Sequence, residues 1–259
     1  PSTLLGVLIV ALVFVWIKEV VLIDAWQTTK QRLVSWRVPI ALFFLAATIS
    51  IFVSPDFRAA LGSWKAYVIE PLIVFIIALT SLRDRRDLTR LTTALGMSAL
   101  TVSLVGLAQW ITGIGIPSPW NLERRITGPF PYPNALGLFV GPIIVLAVGE
   151  WIQSNARKRI FWTFVILAGL LAIIAAKSEA AIAAVPLSLL LIAPWIMRKK
   201  TAIVVWTLAI ILGIIAFALV PTVKEKILFR DFSGAVRLLI WSETTSMLKD
   251  HWLLGAGLS

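Results

Sequence analysis

The sequence has no cysteine, one histidine, two tyrosines, and thirteen acidic residues against twenty-four basic ones. Without cysteine there is no disulfide framework, no thiolate metal site and no cysteine nucleophile. A lone histidine, His251, excludes a multi-histidine metal centre within this chain. Glycine-rich phosphate loops of the nucleotide-binding types are also missing, so neither ATP nor NAD chemistry is indicated, and no metal or cofactor is expected. Charge is scarce as well, at 14% of 259 residues. Soluble domains carry about a quarter, so a single soluble core is a poor description.

What the chain does have is apolar residues, 59% of the total, and a mean hydropathy of +0.93. A bilayer core needs about 20 apolar residues per helix. On that measure about eight windows stand out: Thr3–Ile23, Val38–Ser54, Tyr67–Leu82, Leu91–Ile116, Asn134–Ile152, Phe161–Ala176, Ala180–Met197 and Thr201–Val220. The third and sixth are short and must borrow flanking residues. The pattern predicts an all-α, polytopic integral membrane protein with an extracytoplasmic C-terminal segment. Residues 1–220 would form the helical bundle and 221–259 the start of a large outer loop. The chain starts and stops in mid-pattern, and we expect it to be part of a longer membrane protein.

The net charge of +11 could point to nucleic acid, but its distribution argues otherwise. Lys30, Arg32 and Arg37, then Arg83, Arg85, Arg86 and Arg90, then Arg157, Lys158 and Arg159, then Arg198, Lys199 and Lys200 fall in alternate connections. Those four connections hold thirteen basic residues, and the three intervening ones hold five. Lys and Arg collect in cytoplasmic loops, so the clusters orient the bundle, with both chain ends extracytoplasmic. No nucleic-acid partner is implied.

Two outer segments have unusual content. Residues 117–133 read PSPWNLERRITGPFPYP, whose prolines preclude a regular helix. They offer Arg124 and Arg125 beside Trp120, Phe130 and Tyr132. In the tail, Val236, Leu239, Ile240 and Met247 share one stripe of a helix expected over 234–250, suited to lying in the headgroup region. Arg124, Arg125 and Arg237 defy the inside-positive trend. They suit either a lipid-linked phosphate, which guanidinium binds bidentately, or anionic headgroups in general. Lys177-Ser178-Glu179 is either a polar hairpin cap or the lip of a cavity. Glu70, before Pro71, either faces an outer cavity or serves structure alone. Lys18 sits near the cytoplasmic end of its span and can snorkel. His251 beside Asp250 lacks a partner nucleophile at any informative spacing.

The run Arg125-Ile-Thr-Gly-Pro-Phe-Pro-Tyr-Pro-Asn134 resembles the R-x-T-G-x-F-x-x-P-N motif of the O-antigen ligase/polymerase superfamily. Three further segments agree in order: Trp64-Lys-Ala-Tyr67 with Glu70-Pro71, the Lys177-Ser178-Glu179-Ala180 turn, and Arg237-Leu-Leu-Ile-Trp241 leading to Asp250-His251 and Gly255-Ala-Gly257. The resemblance covers about residues 60 to 259. It implies a metal-independent glycosyltransferase of the bacterial cytoplasmic membrane, acting at its outer face. Such enzymes move a glycan from a polyprenyl diphosphate donor to a glycan or lipid acceptor. By the same resemblance Arg237 would hold the diphosphate, and Arg125, Asn134, Lys177 and Glu179 would contact substrate.

Two departures stand out. Where the family has Ser-Arg at the turn, this chain has Ser178-Glu179. Diphosphate contact there would pass to Lys177 or vanish, and Glu179 would be left for the acceptor. His251 matches the D-H-P position, with Trp252 in place of proline, and is not the family's general base, which is expected beyond Ser259. Ligase and polymerase share these motifs. The rivals are a transporter of lipid-linked sugar, which predicts paired broken helices that do not appear here, and a non-catalytic membrane subunit.

Overall fold

In lipid, every backbone N–H and C=O must find a partner within the protein, which for a single segment means a helix. The computed structural model describes residues 2–22 and 26–258, and these are helical apart from short connections. In chain order the helices are α1 (Ser2–Leu22), α2 (Trp26–Phe52), α3 (Phe57–Trp64), α4 (Glu70–Ser81), α5 (Arg85–Thr112), α6 (Pro133–Gln153), α7 (Ala156–Ala175), α8 (Glu179–Ile196), α9 (Lys199–Leu219), α10 (Pro221–Ile227) and α11 (Phe232–Asp250). Among the described residues, seven segments are long and apolar enough to cross a bilayer: Leu33–Phe52, Phe57–Ser81, Arg85–Thr112, Pro133–Gln153, Ala156–Ala175, Glu179–Ile196 and Lys199–Leu219. The protein is thus an all-helical, multi-pass membrane protein. The remaining expected span falls on α1, and its expected end at Ile23 lies outside the described residues.

Two expectations change. Residues 55–66 are not a loop. Asp56 caps α3, its carboxylate accepting from the amides of Arg58 and Ala59, both at 2.9 Å, and α3 runs into α4 through a π-helical turn at Lys65–Ile69. Pro71 explains that turn. It has no N–H to give the preceding turn, and the register slips so that the Glu70 amide donates to the Lys65 carbonyl. The wider turn brings Lys65 Nζ to 3.7 Å from Glu70 Oε1, so Glu70 has a partner on its own helix. The first basic cluster is not in a loop either. Lys30 and Arg37 ride on α2, which starts at Trp26; the Arg32 side chain lies outside those described.

The chain divides into two compact units, Pro1–Asp87 with Val220–Ser259, and Leu88–Leu219. In the first, Trp16 Nε1 donates to Thr80 Oγ1 at 2.9 Å, and Glu19 pairs with Arg83 at 3.5 Å. The tail docks on the end of α2, where the Leu258 amide donates to Ser54 Oγ at 2.6 Å. Gly257 (φ 94°) permits the approach, because a Cβ there would lie 2.5 Å from Ser54 Cα. Helix α11 begins two residues earlier than expected because Asp231 caps it, accepting from the Gly234 amide at 3.2 Å. Its stripe of Val236, Leu239, Ile240 and Met247 is exposed.

In the second unit, α6 is central. Helices in lipid gain little from burying apolar surface and associate through close packing of small residues. Helix α5 turns Thr92, Gly96, Ala99, Ser103, Gly106 and Gln109 inward, three or four residues apart, one helical face. Gly96 receives the Trp162 ring, and Gly169 of α7 receives Val140 and Ile144 of α6. A Cβ at Gly169 would lie 2.9 Å from Ile144 Cδ1, whereas at Gly213 of α9 it would meet nothing within 4 Å. Gly169→Leu should therefore destabilise the protein by about 1–3 kcal/mol through overpacking, and Gly213→Leu should be neutral. Thermal unfolding of the detergent-solubilised variants checks the contrast.

Candidate functional site

The loop from α5 to α6 carries the arginine-rich motif, and its shape is set from within the bundle. Gln109, one turn before the end of α5, is buried. Its Nε2 donates to the carbonyls of Gly115 and Gly128, each at 2.9 Å. Its Oε1 accepts from the amides of Thr127 at 3.1 Å and Gly128 at 2.8 Å. Both donors and both lone pairs of the amide are used, and the two ends of the loop are tied to one side chain. Gly113, Gly115 and Gly128 supply φ of 73°, 80° and 58°, which the tight path requires.

The loop then reaches the turn between α7 and α8. The Ile126 amide donates to the Ala175 carbonyl at 3.4 Å. Arg125 donates from Nε to Ala176 O and from Nη2 to Lys177 O, both at 3.2 Å, with its guanidinium carbon 5.0 Å from the Trp120 ring centroid. The last carbonyls of a helix lack intrahelical donors, and a cation there also suits the helix dipole. Arg125 therefore serves as the C-terminal cap of α7. Lys177, held at φ 49°, returns the contact by donating from Nζ to the Glu123 carbonyl at 3.3 Å. Its 4.0 Å pair with the Glu123 carboxylate is largely exposed and contributes little.

Loop, turn and helix starts thus converge at one end of the second unit. Asn134 is exposed in the first turn of α6, and Glu179 opens α8 half-buried, where its charge complements the helix N-terminus. Beneath them, between α6 and α8, lies a cleft of about 530 Å³ lined by Asn134, Gly137, Gly141, Ser178, Ala181 and Val185, among others. Of the residues expected to contact substrate, Arg125, Asn134, Lys177 and Glu179 are brought to this end. Arg237, on α11 and half-buried, belongs to the other unit. His251 is the C-cap of α11, exposed.

Gln109 was not singled out by reading the sequence. The available signal was a lone amide in the apolar run Leu107-Ala-Gln-Trp-Ile111. A polar side chain at such depth needs partners, but nothing in the run names them.

Residues 162–259 match the family described as O-Antigen ligase. The match includes Lys177, Glu179 and Arg237 and leaves Arg125 and Asn134 outside it. No curated protein and no solved structure matches the chain significantly.

Gln109→Leu would leave the Thr127 and Gly128 amides without their acceptor, at a cost of about 1–3 kcal/mol. Hydrogen exchange at those two amides should accelerate about tenfold or more. Unchanged exchange would show that the loop holds itself.

Proposed function

Starting from the O-antigen ligase domain at residues 162–259, we propose that this protein transfers a glycan from a polyprenyl diphosphate carrier to an acceptor hydroxyl at the outer face of the bacterial cytoplasmic membrane. The observation that carries the reading is the span of the family match, which takes in both the Lys177–Glu179 turn and the α11 segment bearing Arg237. The turn is braced by a cation-bearing loop, at the end of the second unit away from the Arg157–Arg159 and Arg198–Lys200 clusters. That placement suits an outer-face site on the inside-positive argument.

In the transfer, the acceptor oxygen forms a bond to the anomeric carbon while the bond from that carbon to the diphosphate oxygen breaks. The electron pair leaves with the polyprenyl diphosphate, and the hydroxyl proton passes to a general base. Charge therefore grows on the leaving group, and preorganised cations in a poorly hydrated site stabilise it. Arg237 is the first candidate for that role, since guanidinium engages two phosphate oxygens at once. Lys177 is the second. Arg125 commits two of its N–H groups to helix carbonyls, and we assign it to positioning the turn that carries Lys177. Asn134 and Glu179 offer hydrogen bonds to sugar hydroxyls.

The acceptor distinguishes ligase from polymerase: a lipid-anchored sugar in one, a growing glycan in the other. Supplying each in turn with a lipid-linked donor decides between them. In the same assay Arg237→Ala should lower transfer by about 10²–10³-fold, the usual effect of removing one charge-stabilising donor, with membrane insertion unchanged. Retained transfer would remove Arg237 from the site.

A further inference from the structure

Helix α11 is followed by a tight turn, in which the Gly255 amide donates back to the His251 carbonyl at 2.9 Å and Gly255 takes a φ of 69°. The turn carries three large apolar side chains in succession. Trp252, Leu253 and Leu254 are 77%, 71% and 53% exposed. Single exposed apolar residues are ordinary, but a contiguous group this bare marks a surface that something covers. Trp252 is also where the chain departs from the motif it resembles, so the apolar tip belongs to this sequence in particular.

A few residues on, the chain is fastened to the membrane-spanning part of its own unit. Ser54, just past the end of α2, donates from Oγ to the Ser50 carbonyl at 2.8 Å and accepts from the Leu258 amide at 2.6 Å. Gly257 lies against the Ser54 backbone, since a Cβ there would be 2.5 Å from Ser54 Cα. Helix α2 carries the span Leu33–Phe52, so the contact marks one edge of the hydrocarbon region. Even as extended chain, the path from Leu258 back to Leu254 and Trp252 covers only about 14 to 20 Å, and the turn at Gly255 shortens it. At the same edge the exposed rings of Phe52 and Phe57 lie 6.0 Å apart between centroids.

The tip is thus continuous with a surface that already faces lipid, and the bilayer covers it without any partner having to arrive. Tryptophan favours such a boundary, where its ring is apolar and its N–H is wet. Lys249, Asp250 and His251, which precede the tip, are exposed, and a headgroup layer keeps them hydrated. We infer that Trp252, Leu253 and Leu254 seat the turn after α11 in the lipid–water interface at the Ser54 end of α2, with the Ser54–Leu258 contact as the tether. The seat holds the helix bearing Arg237 against the surface from which a lipid-linked donor is taken. That consequence rests on the function proposed above, whereas the seat itself does not.

The chain has no cysteine, so Leu253→Cys gives a single attachment point for an environment-sensitive fluorophore on the full chain in nanodiscs. Phe52→Cys, at the end of the span, is the lipid reference. Phosphatidylcholine carrying a nitroxide near the headgroup should quench the label at 253 about as much as at 52, and a nitroxide near the chain end should quench it less. Trp252→Asp with Leu254→Asp should remove most of that quenching while thermal unfolding stays unchanged, and Ser54→Ala should reduce it by releasing the tether. A label quenched by neither lipid would overturn the inference. If aqueous iodide also failed to reach it, a second copy or another protein surface would be the covering. Stronger quenching from the chain end would overturn it too, by placing the turn in the hydrocarbon, and so would full quenching in the double aspartate variant. Unchanged quenching in Ser54→Ala would strike out the tether. None of these readings involves glycan transfer, so loss of transfer in Arg237→Ala or its persistence leaves them untouched.

Discussion

The amide of Gln109 is placed where a bilayer protein can least tolerate error, at the depth where a helix gives way to irregular backbone. Loop carbonyls and amides near the hydrocarbon region have few waters to turn to, and each unpaired group costs free energy. One side chain answers four of them, two donated and two accepted. With residues 115 and 127–128 so tied, the two residues just before Thr127 reach the end of α7, and Arg125 meets the carbonyls of Ala176 and Lys177. The position of the turn before α8 follows from that contact, and with it the position of Lys177, Ser178 and Glu179. A polar network that is fully satisfied in low dielectric is rigid, and here the rigidity is passed from α5 to the loop and from the loop to α7 and α8.

The same constraint accounts for the two departures from the expected spans. An apolar window of the kind used to find membrane helices is blind to a polar cap, and so the helix starting at Phe57 looked like a loop: Pro55, Asp56, Arg58 and Lys65 outweigh its few apolar residues. Asp56 in fact marks a helix start, and Pro71 does not end the helix because a π turn absorbs its missing donor. The sixth window was short for a comparable reason. Asn155 accepts from the Lys158 amide at 3.1 Å and starts α7, so Arg157, Lys158 and Arg159 fall inside the helix.

For the candidate site, residue types were legible and roles were not. Arg125 was conspicuous as an arginine in a motif against the inside-positive trend, and its contacts make it a cap for α7. Ser178 was part of a polar turn with two readings. The structure adds that its hydroxyl is buried, leaves its own helix uncapped and faces a cleft. Gly137 carried no special meaning in the sequence, yet a methyl group there would displace that hydroxyl.

Hydropathy and charge order depend on neighbours along the chain, and so the sequence by itself determined the helical membrane class, the approximate spans and the order of the basic clusters along the chain. Partners distant in sequence are another matter. That Gln109 would meet Gly128, that Arg125 would meet Ala176 and that Ser178 would rest against Gly137 depend on how helices pack. In lipid that packing is governed by the shapes of small residues and by polar groups in need of partners, neither of which has a sequence period that names its counterpart. The tertiary structure alone decided that Arg125, rather than another of the few cations in these connections, caps the end of α7.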